Sequence, residues 1–129
     1  MQIHQSAEDY LETILMLNQR MGRVRSIDVV NELGYTKASV SIAMKKLREN
    51  GYIAVDGEGN LTLLEPGREI AERIYSRHRL LTHFFVQLGV EEDIAAEDAC
   101  KAEHILSEQT LEKIRESALR NDAAHPQAK

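Results

Sequence analysis

Cys100, Glu103 and His104 stand at i, i+3 and i+4 within Cys100-Lys101-Ala102-Glu103-His104. On a helix, a thiol, a carboxylate and an imidazole at this spacing leave one face within a single turn. Such a face can offer sulfur, oxygen and nitrogen donors together to a transition metal. The plainer alternative is a surface glutamate, a partly buried cysteine and an ordinary helix histidine. Asp9 and Glu12 make a second acidic pair, at i and i+3, readable equally as two solvated acids near a helix start. A third group, Thr36, Lys37, Ser39, Ser41, Lys45 and Lys46, combines small hydroxyls with cations, the chemistry that meets phosphates and base edges.

The elements that must carry these residues follow from periodicity and punctuation. Residues 8–21 read as a helix, with Tyr10, Ile14, Leu17 and Met21 on one stripe. Ser6 is its expected N-cap, with Asp9 closing a capping box, and Gly22 its stop. Ser26 is expected to cap a short helix over 27–33 that turns Val29, Val30 and Leu33 inward and breaks at Gly34. Thr36 caps the next helix, 37–50, whose buried stripe is Val40, Met44 and Leu47 and whose stop is Gly51. Helix, glycine turn and a second helix bearing exposed hydroxyls and cations make a helix-turn-helix. The β-rich runs 52–55 and 61–63 flank Asp56-Gly57-Glu58-Gly59-Asn60, so a hairpin follows as a wing. Glu65-Pro66-Gly67 opens a long helix to about residue 88, with Ile70, Ile74, Leu81 and Phe84 or Phe85 as its stripe. Helices over 91–106 and from Ser107 to about residue 119 complete the chain. The fold class is mainly α: a winged helix-turn-helix over 1–65, a further helical region over 66–122, and a disordered tail over 123–129.

The chain has 129 residues and a formal net charge of −5. That acidity is unusual for a nucleic-acid binder and calls for something that offsets it. No apolar run reaches membrane-spanning length, and no signal peptide is visible. The single cysteine excludes an internal disulfide framework and suits a reducing cytoplasm. His4 and His125, near the termini, read as solvated, and His83 as surface or interface. Neither a His-Glu-x-x-His pair nor a glycine-rich phosphate loop is present, which argues against an enzyme.

In a DNA complex, Lys37 and Lys45 are expected on phosphates. Ser39 and Ser41 lie nearer base edges, and Ile42 is placed for a thymine methyl. Arg25 and Asn60 are positioned for the backbone. For each of these, solvated surface is the competing explanation.

Three stretches together resemble the metal-dependent repressors of the diphtheria-toxin-repressor and manganese-transport-regulator family. They are Glu8-Asp9-Tyr10-Leu11-Glu12, Arg77-His78-Arg79-Leu80-Leu81, and Cys100 with Glu103-His104, in family order around a winged helix. The resemblance covers about residues 6–120. It implies that the helical region over 66–122 is a dimerisation and metal-binding domain, with metal ligands at Asp9, Glu12, His78, Cys100, Glu103 and His104. Asp9 matches the manganese branch and Cys100 the iron branch. Thr82 and Ala96 stand where the iron branch has ligands of a second site, so the resemblance implies that this site is lost or altered. His78 can instead belong to a closely spaced two-metal cluster, as in the manganese branch. The effector implied is Fe(II) or Mn(II), with Co(II), Ni(II) and Zn(II) as surrogates. A short form without the family's SH3-like domain is expected. So is a cytoplasmic homodimer that represses metal-uptake genes at a palindromic operator in double-stranded DNA. The competing function is a metal-independent winged-helix regulator that senses a small ligand, which has no need of converging Asp, Glu, His and Cys donors.

Overall fold

A computed structural model describes residues 5–124. The described chain runs α1 (Gln5–Met21), α2 (Ser26–Leu33), α3 (Lys37–Glu49), β1 (Ile53–Val55), β2 (Leu61–Leu63), α4 (Glu65–Gln87), α5 (Glu92–Ala102) and α6 (Glu108–Ala124). It divides into two compact units, residues 1–73 and 74–129, with the division inside α4.

In the first unit α1 packs on α2, α3 and β2, and α2 packs on α3. Leu11, Ile14 and Leu17 of α1, Val29 of α2, and Val40, Met44 and Leu47 of α3 are buried, as their spacing requires. Gly34 takes φ +72 and returns its N–H to the Val30 carbonyl, the left-handed stop that lets α2 and α3 meet across a short turn. The Thr36 hydroxyl accepts from the Ser39 N–H at 3.1 Å and caps α3. The hairpin is antiparallel, with Ile53 opposite Leu63 and Val55 opposite Leu61. Its buried Ile53, Leu61 and Leu63 face the helices, and exposed Thr62 alternates between them. In the second unit Leu81 of α4, Ala99 of α5 and Leu111 of α6 form the core, with Leu80, Phe85, Leu106 and Ile114 around them.

Four boundaries differ from the sequence expectation. Ser6 lies inside α1 rather than capping it, because the helix already includes Gln5. Arg25, not Ser26, is the N-cap of α2. Its extended backbone presents its own N–H to the Asp28 carboxylate at 2.9 Å, so an acid three residues on does the capping. α5 stops at Ala102 instead of residue 106: the Ile105 N–H reaches back only to Ala102, and the Glu103 carbonyl accepts from the Arg77 guanidinium instead of a helix amide. α6 runs past residue 119 to Ala124, so residues 123 and 124 of the expected tail are helical. Asp122 and Asn121 are held by hydrogen bonds to His83 and Gln87 of α4. The rest of the expected tail, His125 included, and His4 lie outside the described residues.

Candidate metal centre and nucleic-acid interface

Glu103 is the best-defined donor position. It follows the last helical residue of α5 and its side chain is 0% exposed. One carboxylate oxygen lies 3.0 Å from His78 Nδ1, contributed by α4. The other lies 3.5 Å from Nε2 of His104, whose side chain is 1% exposed. A buried carboxylate flanked by two imidazoles is a cation's coordination chemistry, since all three groups offer lone pairs and Glu103 and His104 are shielded from water. Cys100 sits on the last turn of α5 and is exposed, so it is not the partly buried cysteine of the plainer alternative. Glu103 and His104 lie in the turn beyond α5, so the three residues do not share one helix.

In the first unit Asp9 and Glu12 occupy α1, where Asp9 is half-buried and Glu12 buried. Burial of two acids one turn apart sets them apart from the solvated pair the sequence also allowed. Glu8, beside them, accepts from the Arg73 guanidinium at 3.4 Å. Burial, then the nearby Tyr35 and Asp9, push the Tyr10 hydroxyl above its ordinary pKa. The Tyr10 ring meets Tyr35 edge-on at 5.8 Å, which ties α1 to the turn before α3.

The groups singled out for DNA stand on the outer side of α3 and beside the hairpin. Thr36, Lys37, Ser39, Ser41, Lys45 and Lys46 are exposed, and Ile42 is 58% exposed despite its apolar side chain. Exposure of a large aliphatic residue between two hydroxyls and two lysines suits a surface that is later covered. Arg25 and half-buried Asn60 line one recess together with Arg23 and Glu58. The hairpin turn is held by Asp56, whose carboxylate accepts from the Asn60 N–H, the Asn60 side-chain amide and the Glu58 N–H. These bonds, the Asn60 backbone bond foremost, hold Asp56 below its ordinary pKa.

Three positions were given no role by the sequence reading. Arg23 is exposed at the wing base and pairs with Glu58 at 3.8 Å. The signal was available. Val24 is buried and its carbonyl accepts from Leu61, so Arg23 and Arg25, two apart on extended chain, share the opposite side. Arg73 and Arg77 fall within a helix rich in arginine, and nothing local marks the carboxylate each one finds.

Residues 2–61 match the family described as "Iron dependent repressor, N-terminal DNA binding domain", and residues 64–126 match "Iron dependent repressor, metal binding and dimerisation domain". The chain is 35% identical over 113 residues to an uncharacterized HTH-type transcriptional regulator of Methanocaldococcus jannaschii, covering 86% of this chain and 90% of that protein. It is 33% identical over 109 residues to the HTH-type transcriptional regulator MntR of Bacillus subtilis, covering 84% and 77%. Among solved structures, a manganese-dependent transcriptional repressor in complex with manganese superposes with a TM-score of 0.79 at 29% identity, covering 87% of this chain and 52% of that one. The manganese regulator SloR superposes with a TM-score of 0.76 at 25% identity, covering 94% and 55%. The chain thus spans about half the length of these solved structures. With both of its parts matched, and with a relative 35% identical over 86% of its length, the chain belongs to the iron-dependent repressor family of metal-dependent, DNA-binding transcriptional regulators.

Proposed function

We propose that this protein is a cytoplasmic homodimeric repressor of metal-uptake genes, switched by Fe(II) or Mn(II). In this reading residues 1–65 bind DNA and residues 66–122 dimerise and hold metal. Asp9, Glu12, His78, Cys100, Glu103 and His104 supply the donors. The observation that carries the reading is the buried Glu103 carboxylate between His78 and His104. Carboxylates and imidazoles suit Mn(II) and Fe(II), and a thiolate at Cys100 moves the preference towards Fe(II), Co(II) or Zn(II).

A bound dication supplies positive charge that offsets the carboxylates. Asp9, Glu12 and Glu103 are three of the 21 acids in a chain whose net charge is −5, so how α1 is held depends on that compensation. α1 packs on both helices of the helix-turn-helix, so what holds α1 also sets the pose of α3. A palindromic operator demands two α3 helices about 34–36 Å apart, which makes DNA affinity sensitive to small changes in that pose. The effector acts through its differential affinity for the DNA-ready state. At the DNA, Lys37, Lys45 and Lys46 meet phosphates, with Arg25 and Asn60 on the flanking backbone. Thr36, Ser39, Ser41 and Ile42 face the groove.

The test is anaerobic titration of Mn(II), Fe(II), Co(II) and Zn(II) into the chain with duplexes selected from a randomised pool, read as DNA affinity. Affinity should rise with one or two of these metals and fall with chelator. Affinity indifferent to metal and chelator would sink the reading and favour the metal-independent regulator.

A further inference from the structure

Arg77 is a large cation with only 15% of its side chain exposed, and the metal and DNA chemistry above leaves it without a task. Its guanidinium donates from Nη1 to the Glu103 carbonyl at 3.2 Å and from Nη2 to the Glu108 carboxylate. Glu103 ends α5 and Glu108 begins α6, so one side chain spans the whole connection between the two helices. His78, the next residue on α4, reaches the Glu103 carboxylate at 3.0 Å. Consecutive residues diverge by about 100° around a helix. Here the two grip opposite ends of one residue, Arg77 its main chain and His78 its side chain.

We infer that Arg77 is a positioning residue for the Glu103 and His104 donors, a role that rests on the cation-binding reading above. The planar guanidinium presents donors in a fixed fork, so it can satisfy a carbonyl and a carboxylate at once, which a lysine ammonium cannot do with the same geometry. The carbonyl it takes lies at the C-terminus of α5, where a cation is favoured. The acid it takes lies at the N-terminus of α6, where an anion is favoured. Releasing that carbonyl frees the turn over 103–107. The Glu103 carboxylate and the neighbouring His104 ring then lose their fixed place. The price of the lost contact therefore falls on metal affinity and not only on folding.

The experiment uses the whole chain, with Mn(II) alone as probe, and measures binding by chelator competition for the wild type, Arg77→Gln, Arg77→Lys and Glu108→Gln. Urea unfolding of the metal-free proteins runs in parallel. Changes around a metal's direct ligands weaken binding by roughly 10–100-fold, so Arg77→Gln should lose about tenfold in affinity. Arg77→Lys should recover part of that loss and Glu108→Gln should show a smaller one. A purely structural arginine would lower the urea midpoint and leave the affinity of the folded chain unchanged, and that outcome overturns the inference. If Arg77→Gln does not fold, wild-type affinity in both Arg77→Lys and Glu108→Gln overturns it as well. If the wild type itself binds no Mn(II) while Fe(II) and Co(II) also fail, the cation-binding reading falls, and this inference with it. Tight wild-type binding that Arg77→Gln preserves removes the inference alone.

Discussion

Gly67 sits in the first turn of α4, and a methyl group there has nowhere to go. An ideal Cβ at Gly67 would lie 2.2 Å from the Tyr52 carbonyl oxygen, 3.0 Å from its carbon and 3.3 Å from its Cα. All three are backbone atoms, so no rotamer change relieves the clash. Restoring ordinary contact takes about 1 Å of main-chain movement. Tyr52 is poorly placed to give it: its N–H donates to the Leu47 carbonyl at 2.9 Å and its carbonyl accepts from Leu64 at 2.9 Å. The strain of Gly67→Ala therefore passes into the end of α3 and the entry to β1. Overpacking of this kind costs about 1–3 kcal/mol. Weakening the Leu64 bond adds about 0.5–1.5 kcal/mol, and the better helix propensity of alanine returns about 1 kcal/mol. The net expectation is a destabilisation of about 2 kcal/mol, and with m of about 1–3 kcal/mol/M in urea the midpoint should fall by about 1 M. Urea unfolding at fixed protomer concentration measures this, because dimerisation makes apparent stability depend on concentration. Gly57→Ala is the control. Its Cβ would meet nothing within 4 Å, so it should stay within about 0.5 kcal/mol of wild type. A Gly67→Ala protein as stable as the control would refute the steric argument.

Two further outcomes follow from the hairpin and from α3. The hydrogen bonds on Asp56 hold its folded pKa below the ordinary value of 3.8. What they contribute to the hairpin turn is therefore complete above 3.8 and is lost only as pH falls through the lower, folded value. An NMR titration of the Asp56 carboxyl carbon, with the Glu58 and Asn60 amides, checks the sign, and an inflection at or above 3.8 contradicts it. Lys37→Ala and Lys45→Ala should each weaken DNA binding alike for all sequences and reduce the salt slope by about 0.9 per lysine. Ser39→Ala should change base preference and leave the slope alone. A lysine variant that alters preference without altering the slope would refute this division of labour.

The winged helix was legible because its signals are local. Gly34 at a left-handed stop, Thr36 three residues before the amide it caps, and a five-residue polar loop between β-rich runs each fix structure within a few residues. The buried stripe Val40, Met44 and Leu47 needs only the helical period. The misplaced caps show the limit of the same method. Ser26 looks like an N-cap by type, yet Asp28 makes the capping bond one position earlier, because the chain entering α2 is fixed by Val24 packing and pairing with Leu61. The last turns of α6 have the same kind of cause. Their polar residues read as a fraying tail until Gln87 and His83, more than thirty residues earlier, bond Asn121 and Asp122.

The candidate metal centre divides along the same line. Spacing alone identified Cys100, Glu103 and His104 as donors of the right kinds, on the premise that one helix carries them all. α5 instead ends before Glu103, whose carbonyl is taken by an arginine 26 residues away in sequence. The partner of the Glu103 carboxylate is equally distant, 25 residues back at His78. Helical periodicity reports only on neighbours within a turn or two, so it can propose which side chains have donor chemistry but not which atom faces which. What makes Glu103 more than a buried acid is that its two ends are held separately, one by a guanidinium and one by an imidazole, both from α4. A sequence that kept every donor and exchanged only Arg77 would keep the same donor types at the same spacing. Its Glu103 carboxylate would nonetheless have lost the support that keeps it aimed at His78.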